Sequence, residues 1–186
     1  MSLNFWEGEK VTLRAVEPED WEVFYEWDKD TETARRGYFI PFPQSKAAAQ
    51  KMAAEMALVR PENDVFRFMI LNKQGEVVGT LNTHSVERRD GTFSYGVAVR
   101  REFWGRGYAS EAVHIVLRYF FAELRYQKCN VGIDDYNTES IRLHERLGFQ
   151  LEGRLRRMRF TDGTYHDGLQ YGMTAEEFWE SLNGKA

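Results

Sequence analysis

The sequence predicts a mixed α/β fold built on a mostly antiparallel sheet of about seven strands, with flanking helices. Three strand-like runs follow one another between residues 65 and 99 with no helix between them, which indicates an antiparallel meander. A strand, a strongly periodic helix and another strand then span residues 93–133, which indicates one central βαβ crossover of parallel strands. The regular βαβ alternation of a doubly wound sheet is not present.

The elements of the first half follow from local patterns. Residues 10–16 alternate apolar and polar side chains, as a half-buried strand does, and Pro18 stands at a favourable first helical position. Residues 31–44 are predicted to be a loop, and Ser45 to cap an alanine-rich helix that Pro61 ends. The meander strands are expected at 65–71, 76–86 and 93–99, with turns at 72–75 and 88–91.

The second half begins with an amphipathic helix predicted over residues 108–124, whose apolar side chains recur at helical spacing. Asn137 is a candidate N-cap for a second helix that Gly148 ends. Thr174 is expected to cap a short final helix. The remaining strands are predicted at 128–133, 149–160 and 165–173.

Composition restricts the class of protein. With 186 residues, 42% of them hydrophobic, the chain is expected to form one domain over 1–186. The net charge of −4 argues against direct nucleic-acid binding. A single cysteine, Cys129, permits no internal disulfide and fits a reducing compartment. No run approaches a membrane span and the N-terminus is unlike a signal peptide, so a soluble, cytoplasmic protein without a membrane partner is expected.

The most informative segment is the turn around Gly105 and Gly107, between a predicted strand and a predicted helix. Two glycines at a helix N-terminus let amide groups converge, and the helix dipole adds positive charge, which suits a phosphate or pyrophosphate. Arg101 and Arg106 could add charge-assisted hydrogen bonds. The alternative is a tight turn that needs glycine for positive φ, with both arginines as surface charge.

The order of these motifs resembles the GNAT (Gcn5-related) N-acetyltransferases, and more narrowly the branch that acetylates ribosomal-protein N-termini and spermidine. The resemblance spans about residues 9–174. Its parts are the opening strand 11–15, the turn Gly105-Arg106-Gly107-Tyr108-Ala109, the pattern Asn137-x-x-Ser140, the segment Leu147-Gly148-Phe149 and the closing hairpin 153–167.

The resemblance implies acetyl-CoA as co-substrate and no metal. It implies that amides of the turn bind the pyrophosphate and that the preceding strand pairs with the pantetheine arm. It also implies that two central parallel strands splay apart to hold the thioester, and that Asn137 contacts the pantetheine or fixes the next helix. The implied cofactor-binding residues are Val97, Ala98, Val99, Trp104, Gly105, Arg106, Gly107, Tyr108, Ala109 and Asn137. Trp104 departs from the Gln or Arg that usually begins this turn.

The implied reaction is acetyl transfer to a primary amine by direct attack in a ternary complex. Many relatives carry a Tyr that protonates the departing thiolate, and the matching position here is His144. A packed histidine hydrogen-bonded to backbone is the alternative for that position, and Ser140 is the second acid candidate. Relatives often use a Glu base where this chain has Ser94; His84, Glu87 and Asp134 could act through water instead, or be plain surface residues.

Acceptor specificity is expected in the loop 31–44 and near the final hairpin. Tyr38, Phe39 and Phe42 either line an acceptor pocket or fill the core beneath the loop. Arg35 and Arg36 fit poorly with a polyamine, which favours a peptide N-terminus or a small-molecule amine. The sequence does not fix the oligomeric state, and pairing of exposed strand edges would allow a homodimer.

Three other classes of protein compete with an acetyltransferase. A dinucleotide-binding oxidoreductase is disfavoured because Ser110 stands where the third glycine of that fingerprint belongs. A nucleotide kinase is disfavoured because no Gly-Lys-Ser/Thr follows the turn. A non-catalytic acyl-CoA-binding or ribosome-associated module on the same fold is the serious alternative, because a shared fold does not prove chemistry.

Overall fold

The computed structural model describes residues 4–37 and 39–183. Seven strands form one sheet in the order β1-β2-β3-β4-β5-β7-β6. The strands are β1 Val11–Ala15, β2 Arg67–Asn72, β3 Val77–Glu87, β4 Thr92–Val99, β5 Lys128–Asp134, β6 Gln150–Thr161 and β7 Thr164–Thr174. The helices are α1 Trp21–Trp27, α2 Thr31–Gly37, α3 Lys46–Ala57, α4 Tyr108–Arg118, α5 Thr138–Leu147 and α6 Ala175–Asn183. The mixed, mostly antiparallel sheet with a parallel β4–β5 pair confirms the predicted fold class.

The chain forms two compact units. The first unit contains the described residues up to Thr83 together with Val97–Ile115, and the second contains His84–Gly96 and the described residues from Val116 onward.

The core of the first unit lies where the end of β1 and strand β2 meet helices α1 and α3. Val16, Phe24, Ala53 and Met69 form a buried cluster there. Ser45 caps α3 as predicted, because its hydroxyl accepts a hydrogen bond from the Ala48 amide at 3.1 Å. Burial of such side chains contributes about 1.5–3 kcal/mol each, so these elements are held mainly by packing.

The prediction of a loop over 31–44 is wrong for its first half, where α2 forms. Asp30 caps this helix: its carboxylate accepts from the Thr33 amide at 3.2 Å and from the Thr33 hydroxyl at 2.6 Å. Glu32 in the first turn and Arg36 in the last turn both match the helix dipole. The Asp-x-x-Thr capping pattern and the absence of a helix breaker before Gly37 were the overlooked signals.

In the second unit the predicted helix 108–124 changes character near its end. Tyr119–Glu123 form a π-helical turn, and the Leu124 amide donates to the Tyr119 carbonyl at 3.3 Å. The wider turn keeps both Phe120 and Phe121 buried. Both rings pack against Phe93 of β4, with centroids 4.0 and 5.8 Å away. Packing of adjacent aromatic residues therefore overrides regular α-helical geometry here.

Two predicted helix boundaries in the second unit are confirmed. Gly148 adopts φ +98° and ends α5, and the Phe149 amide closes the turn onto the His144 carbonyl at 3.0 Å. Thr174 and Glu177 form a reciprocal capping box at the start of α6, with distances of 3.3 and 2.8 Å. These contacts fix the end of α5 before β6 and the start of α6 after β7.

Within residues 4–37 and 39–183, no helix is long and apolar enough to cross a membrane. The same residues contain no group of three or more His, Cys, Asp or Glu side chains arranged to hold a metal ion.

Candidate functional site

The glycine turn follows β4 and a short 3₁₀ segment, Arg101–Phe103, and leads directly into α4. Gly105 has φ +75° and Gly107 has φ +83°, so both stand in the left-handed region that other residues avoid. Positive φ at alternate positions turns successive amides toward one side of the chain. The turn therefore has the backbone geometry of an anion-binding concavity.

The backbone amides from Gly105 to Ser110 have no hydrogen-bond partner in the described part of the chain. The N–H groups of Gly107, Tyr108 and Ala109 donate to none of its atoms, and the first intrahelical donor is the Glu111 amide, 3.1 Å from the Gly107 carbonyl. Donors at the first turn of a helix are normally satisfied by a side-chain cap, by water or by a ligand. Together with the dipole of α4, they favour an oxyanion.

The sequence suggested that Arg101 and Arg106 would both offer positive charge to a phosphate at the turn, but in the structure both side chains have partners within the protein. The Arg101 guanidinium forms a two-point ion pair with Asp30, at 3.0 and 2.8 Å, so its charge is matched within the protein. Arg106 donates to the Glu102 carbonyl at 3.1 Å and lies over the Phe103 ring. Lys10, which sequence reasoning missed, places its Nζ 3.4 Å from the Arg106 carbonyl. A lysine from the segment before β1 is thus a cation of this turn.

Trp104 has a structural role that explains why it can replace a polar residue. Its indole Nε1 donates to the Val99 carbonyl at 2.7 Å, which ties the turn to the end of β4. The guanidinium groups of Arg36 and Arg101 lie 5.3 and 5.7 Å from its ring. Cation–π contacts of this kind contribute about 0.5–1 kcal/mol each at exposed sites. The side chain therefore stabilises the turn while its amides stay available.

Parallel pairing of β4 with β5 is short. It joins Thr92–Ser94 to Lys128–Asn130, whereas β4 continues to Val99 and β5 to Asp134. Val97, Ala98 and Val99 are half-buried residues at the end of β4, directly before the turn.

Glu111 anchors the start of α4, a role that the sequence did not reveal. Its carboxylate accepts hydrogen bonds from the amides of Glu9, Lys10 and Val11 at 2.9, 2.7 and 2.7 Å. These bonds hold the segment before β1 against the first turn of α4, where a negative charge is also favoured by the dipole. They place Lys10 beside the glycine turn.

Asn137 lies in the second unit as the N-cap of α5, one of the two roles expected for it. Its Oδ1 accepts from the Ser140 amide at 3.2 Å. The cap fixes where α5 begins and hence which face carries Ser140 and His144, four residues apart.

His144 is buried, with 2% of its surface exposed, and its hydrogen bonding defines its tautomer. Nδ1 lies 2.7 Å from the Ser140 carbonyl, which can only accept, so Nδ1 carries the proton. Burial lowers the pKa of His144, and the bond to Ser140 acts in the opposite direction. Nε2 is buried without a partner. The ring is therefore neutral near pH 7 and offers a hydrogen-bond acceptor at Nε2.

The depressed pKa predicts an acid-sensitive fold. Below about pH 6.5 an unfolded His144 takes up a proton that the folded protein resists, so the free energy of unfolding should fall as pH is lowered. We expect this fall between pH 7 and 5, measured by urea unfolding, to be steeper in the wild type than in His144→Asn, whose amide can keep the bond to Ser140. Parallel curves for the two proteins would contradict it.

The expected base candidates differ in their surroundings. Glu87 accepts from the Arg89 amide at 2.9 Å, and Asp134 is engaged by Arg159 and Tyr136, each at 3.1 Å. His84 is exposed, with Nδ1 3.0 Å from the Ser85 hydroxyl. Burial lowers the pKa of His84, and a hydrogen bond to the Tyr95 backbone acts in the opposite direction.

The predicted acceptor segment exposes apolar side chains. Phe39 and Phe42 are 61% and 94% exposed, so neither fills a core, and Tyr38 lies outside the described residues. Near this segment Asp28 carries a half-buried carboxylate whose hydrogen bond comes from the neutral Gln44 amide at 3.1 Å. Burial raises the pKa of Asp28 because it disfavours the charged carboxylate. A nearby ammonium group would favour the charged form and offset that effect.

Comparison with known proteins agrees with this geometry. A family model described as an acetyltransferase (GNAT) domain matches residues 10–150. The chain is 42% identical over 178 residues to YokL, an uncharacterized prophage-derived N-acetyltransferase of Bacillus subtilis (strain 168), covering 96% of this chain and 97% of the relative. It is 22% identical over 160 residues to the spermidine N(1)-acetyltransferase of Escherichia coli (strain K12), covering 86% and 83%.

A solved structure has the same fold. The spermidine N-acetyltransferase of Vibrio cholerae, crystallised with CoA and spermine, superposes with a TM-score of 0.80 at 20% identity and covers 92% of this chain and 99% of that one. The family-model match and the 42% identical relative decide the assignment. This chain belongs to the GNAT family and is an acetyl-CoA-dependent N-acetyltransferase.

Proposed function

We propose that the chain is a single acetyltransferase domain that binds acetyl-CoA through the backbone of its glycine turn and transfers the acetyl group to a primary amine of a peptide N-terminus or a small molecule. The observation that carries this proposal is the run of unpartnered amides at the N-terminus of α4, which includes those of Gly107, Tyr108 and Ala109. A pyrophosphate would satisfy them with charge-assisted hydrogen bonds. Trp104 and Gly105 are proposed to hold the backbone of the turn in its conformation, and Lys10 and Arg106 to add positive charge beside the pyrophosphate.

The pantetheine arm is proposed to bind along the main chain of Val97, Ala98 and Val99. These residues follow the three β4 residues that pair with β5 and precede the turn, so a ligand held at the turn can extend along them. Asn137 is proposed to act in the second unit by fixing α5, as its N-cap geometry supports.

Two residues of α5 are proposed to take part in the proton transfers of the reaction. The amine must lose a proton before it attacks the thioester, and the CoA thiolate takes one up as it leaves. Ser140 and His144 are the α5 residues proposed for this chemistry, with Nε2 of the neutral imidazole as acceptor and the Ser140 hydroxyl as a donor. Because both substrates react within one complex, positioning supplies much of the rate.

The acceptor is proposed to combine an amine with an apolar portion. Exposed Phe39 and Phe42 offer apolar contact, and the half-buried Asp28 carboxylate favours an ammonium. Arg35 forms an ion pair with Glu32, and the Arg36 guanidinium lies over the Trp104 ring. Because of these contacts, the two arginines should repel a cationic acceptor less strongly than the sequence alone suggested.

Calorimetric titration of acetyl-CoA and desulfo-CoA tests the cofactor site. Comparable dissociation constants for the two ligands are expected, because the nucleotide and pantetheine, not the sulfur, make the proposed contacts. Thiol release with a panel of primary amines, peptides and polyamines then identifies the acceptor class. Binding without any thiol release would favour the non-catalytic acyl-CoA-binding module, and binding of neither ligand would contradict the proposed site.

A further inference from the structure

Two neighbouring strands of the first unit place polar side chains on the sheet face that turns toward α1. Arg67 of β2 pairs with Asn82 of β3, and Met69 pairs with Thr80. Opposed residues of an antiparallel pair share a face, and so do residues two apart on one strand. Met69 belongs to one buried cluster with Phe24 of α1. A guanidinium, a carboxamide and a hydroxyl therefore lie side by side at the border of this cluster.

These three polar side chains have no partner among residues 4–37 and 39–183. Arg67 is half-buried, yet its guanidinium forms no ion pair or hydrogen bond with those residues. The Thr80 hydroxyl and the Asn82 carboxamide form no hydrogen bond with them either, although Thr80 is only 7% exposed. Burial lowers the pKa of Arg67, and no carboxylate opposes this effect. Buried charges in proteins are normally paired, so this group calls for an anionic ligand.

The composition of the group indicates which anion it fits. The guanidinium donates in a planar fork that matches the two oxygens of a carboxylate, and the Thr80 hydroxyl and the Asn82 amide nitrogen can donate to the same oxygens. One positive charge beside two neutral groups balances one negative charge. A phosphate monoester, with a charge of about −1.5 to −2, would be balanced only in part. The group therefore favours a carboxylate.

A group of opposite charge lies at the border of the same cluster. Asp28 follows Phe24 by one helical turn, about 6 Å along α1, and Arg67 precedes Met69 by two residues, about 7 Å along β2. The two charges do not pair with each other, and Asp28 takes its hydrogen bond from the neutral Gln44 amide. A ligand that carries both an ammonium and a carboxylate would give each of them an ionic partner.

We propose that Arg67, together with Thr80 and Asn82, binds a carboxylate of the acceptor, while Asp28 attracts its ammonium group. The acceptor is then an amine that carries a carboxylate in the same molecule, such as an amino acid, and not a polyamine. This inference rests on the proposed function and narrows its acceptor class. Arg67 is a specificity-determining residue, because it binds a part of the acceptor away from the reacting nitrogen.

The test compares acceptors in pairs that differ only in the carboxylate. Thiol release is measured for α-, β- and ω-amino acids and dipeptides, each beside its own carboxamide. The best substrate of the wild type should be a carboxylate form, with kcat/KM at least about tenfold above that of its carboxamide, because the amide loses the charge-assisted hydrogen bonds. In Arg67→Gln this ratio should fall to within about threefold of one, with the acetyl-CoA Kd and the thermal midpoint little changed. The two forms differ in amine pKa, but that difference is the same for both proteins and cancels between their ratios.

Two further variants separate charge, geometry and general surface effects. Arg67→Lys keeps the positive charge without the planar fork, so it should retain only part of the preference for the carboxylate. Arg60→Gln is the matched control, because it removes an exposed arginine of the same unit and should keep the wild-type ratio.

Two results would overturn the inference: equal use of amino acids and their carboxamides by the wild type, or the wild-type preference retained in Arg67→Gln. If Arg67→Gln does not fold, an unchanged ratio in Arg67→Lys would overturn it as well. Failure of the proposed function would look different, because the wild type would then release no thiol with any amine, polyamines included.

Discussion

Replacement of Gly107 by valine is expected to weaken acetyl-CoA binding at least about tenfold. Gly107 has φ +83°, a conformation that a β-branched residue adopts only with strain, so the backbone must turn and the amides of Gly107 and Tyr108 lose their common direction. A hydrogen bond to a charged group contributes about 1.5–3 kcal/mol, and 1.4 kcal/mol corresponds to a tenfold change in Kd. Titration calorimetry with acetyl-CoA measures the effect directly.

Gly75→Val separates this effect from simple backbone strain. Gly75 has φ +79° and lies in the turn between β2 and β3, where a Cβ would meet no atom within 4 Å. At Gly107 the nearest atom to a Cβ would be the flexible end of Lys10, at 2.9 Å, which can move away. The two variants should therefore lose similar stability, whereas only Gly107→Val should lose affinity. Wild-type affinity in Gly107→Val would remove the turn from the cofactor site.

Replacement of Glu111 by alanine should give the largest loss of stability outside the apolar core, about 2–4 kcal/mol in the free energy of unfolding. Its carboxylate accepts from three successive amides of residues 9–11, and the Val11 amide belongs to a fully buried residue. The variant leaves these donors without a partner and removes a charge that the α4 dipole favours. Urea unfolding monitored by circular dichroism measures the change.

Glu123→Ala is the control for that measurement. Glu123 is an exposed acidic residue near the other end of the same helical segment, where a negative charge opposes the dipole. Its replacement should change stability by less than about 0.5 kcal/mol. Equal effects of the two substitutions would show that the three hydrogen bonds of Glu111 contribute nothing measurable.

Features that depend on a few neighbouring residues were predictable. Ser45, Thr174 and Gly148 were each assigned a helix boundary from local chemistry, and each has the expected bond or dihedral angle. The alternative explanation of the glycine turn required positive φ at Gly105 and Gly107, and both residues have it. The alternative of a packed histidine at position 144 required burial and a backbone hydrogen bond, and His144 has both.

Errors arose where a boundary depended on packing or on a less familiar cap. Asp30 caps α2 within what was predicted to be a loop, although its signal was present in the sequence. The π-helical turn at Tyr119–Glu123 was not visible in the sequence, because apolar spacing alone does not distinguish it from the end of a regular helix.

By itself, the sequence determined the order of elements, the helix caps, the glycine turn and the family resemblance, because each depends on contacts within a few residues or on the order of motifs. Only the tertiary structure decided which charges are already matched, as for Arg101 with Asp30, and which distant groups meet, as for Lys10 with the turn and Tyr95 with His144. Side-chain partners across strands and helices depend on register and burial. A residue's availability for chemistry is therefore set by neighbours that its own stretch of sequence does not contain.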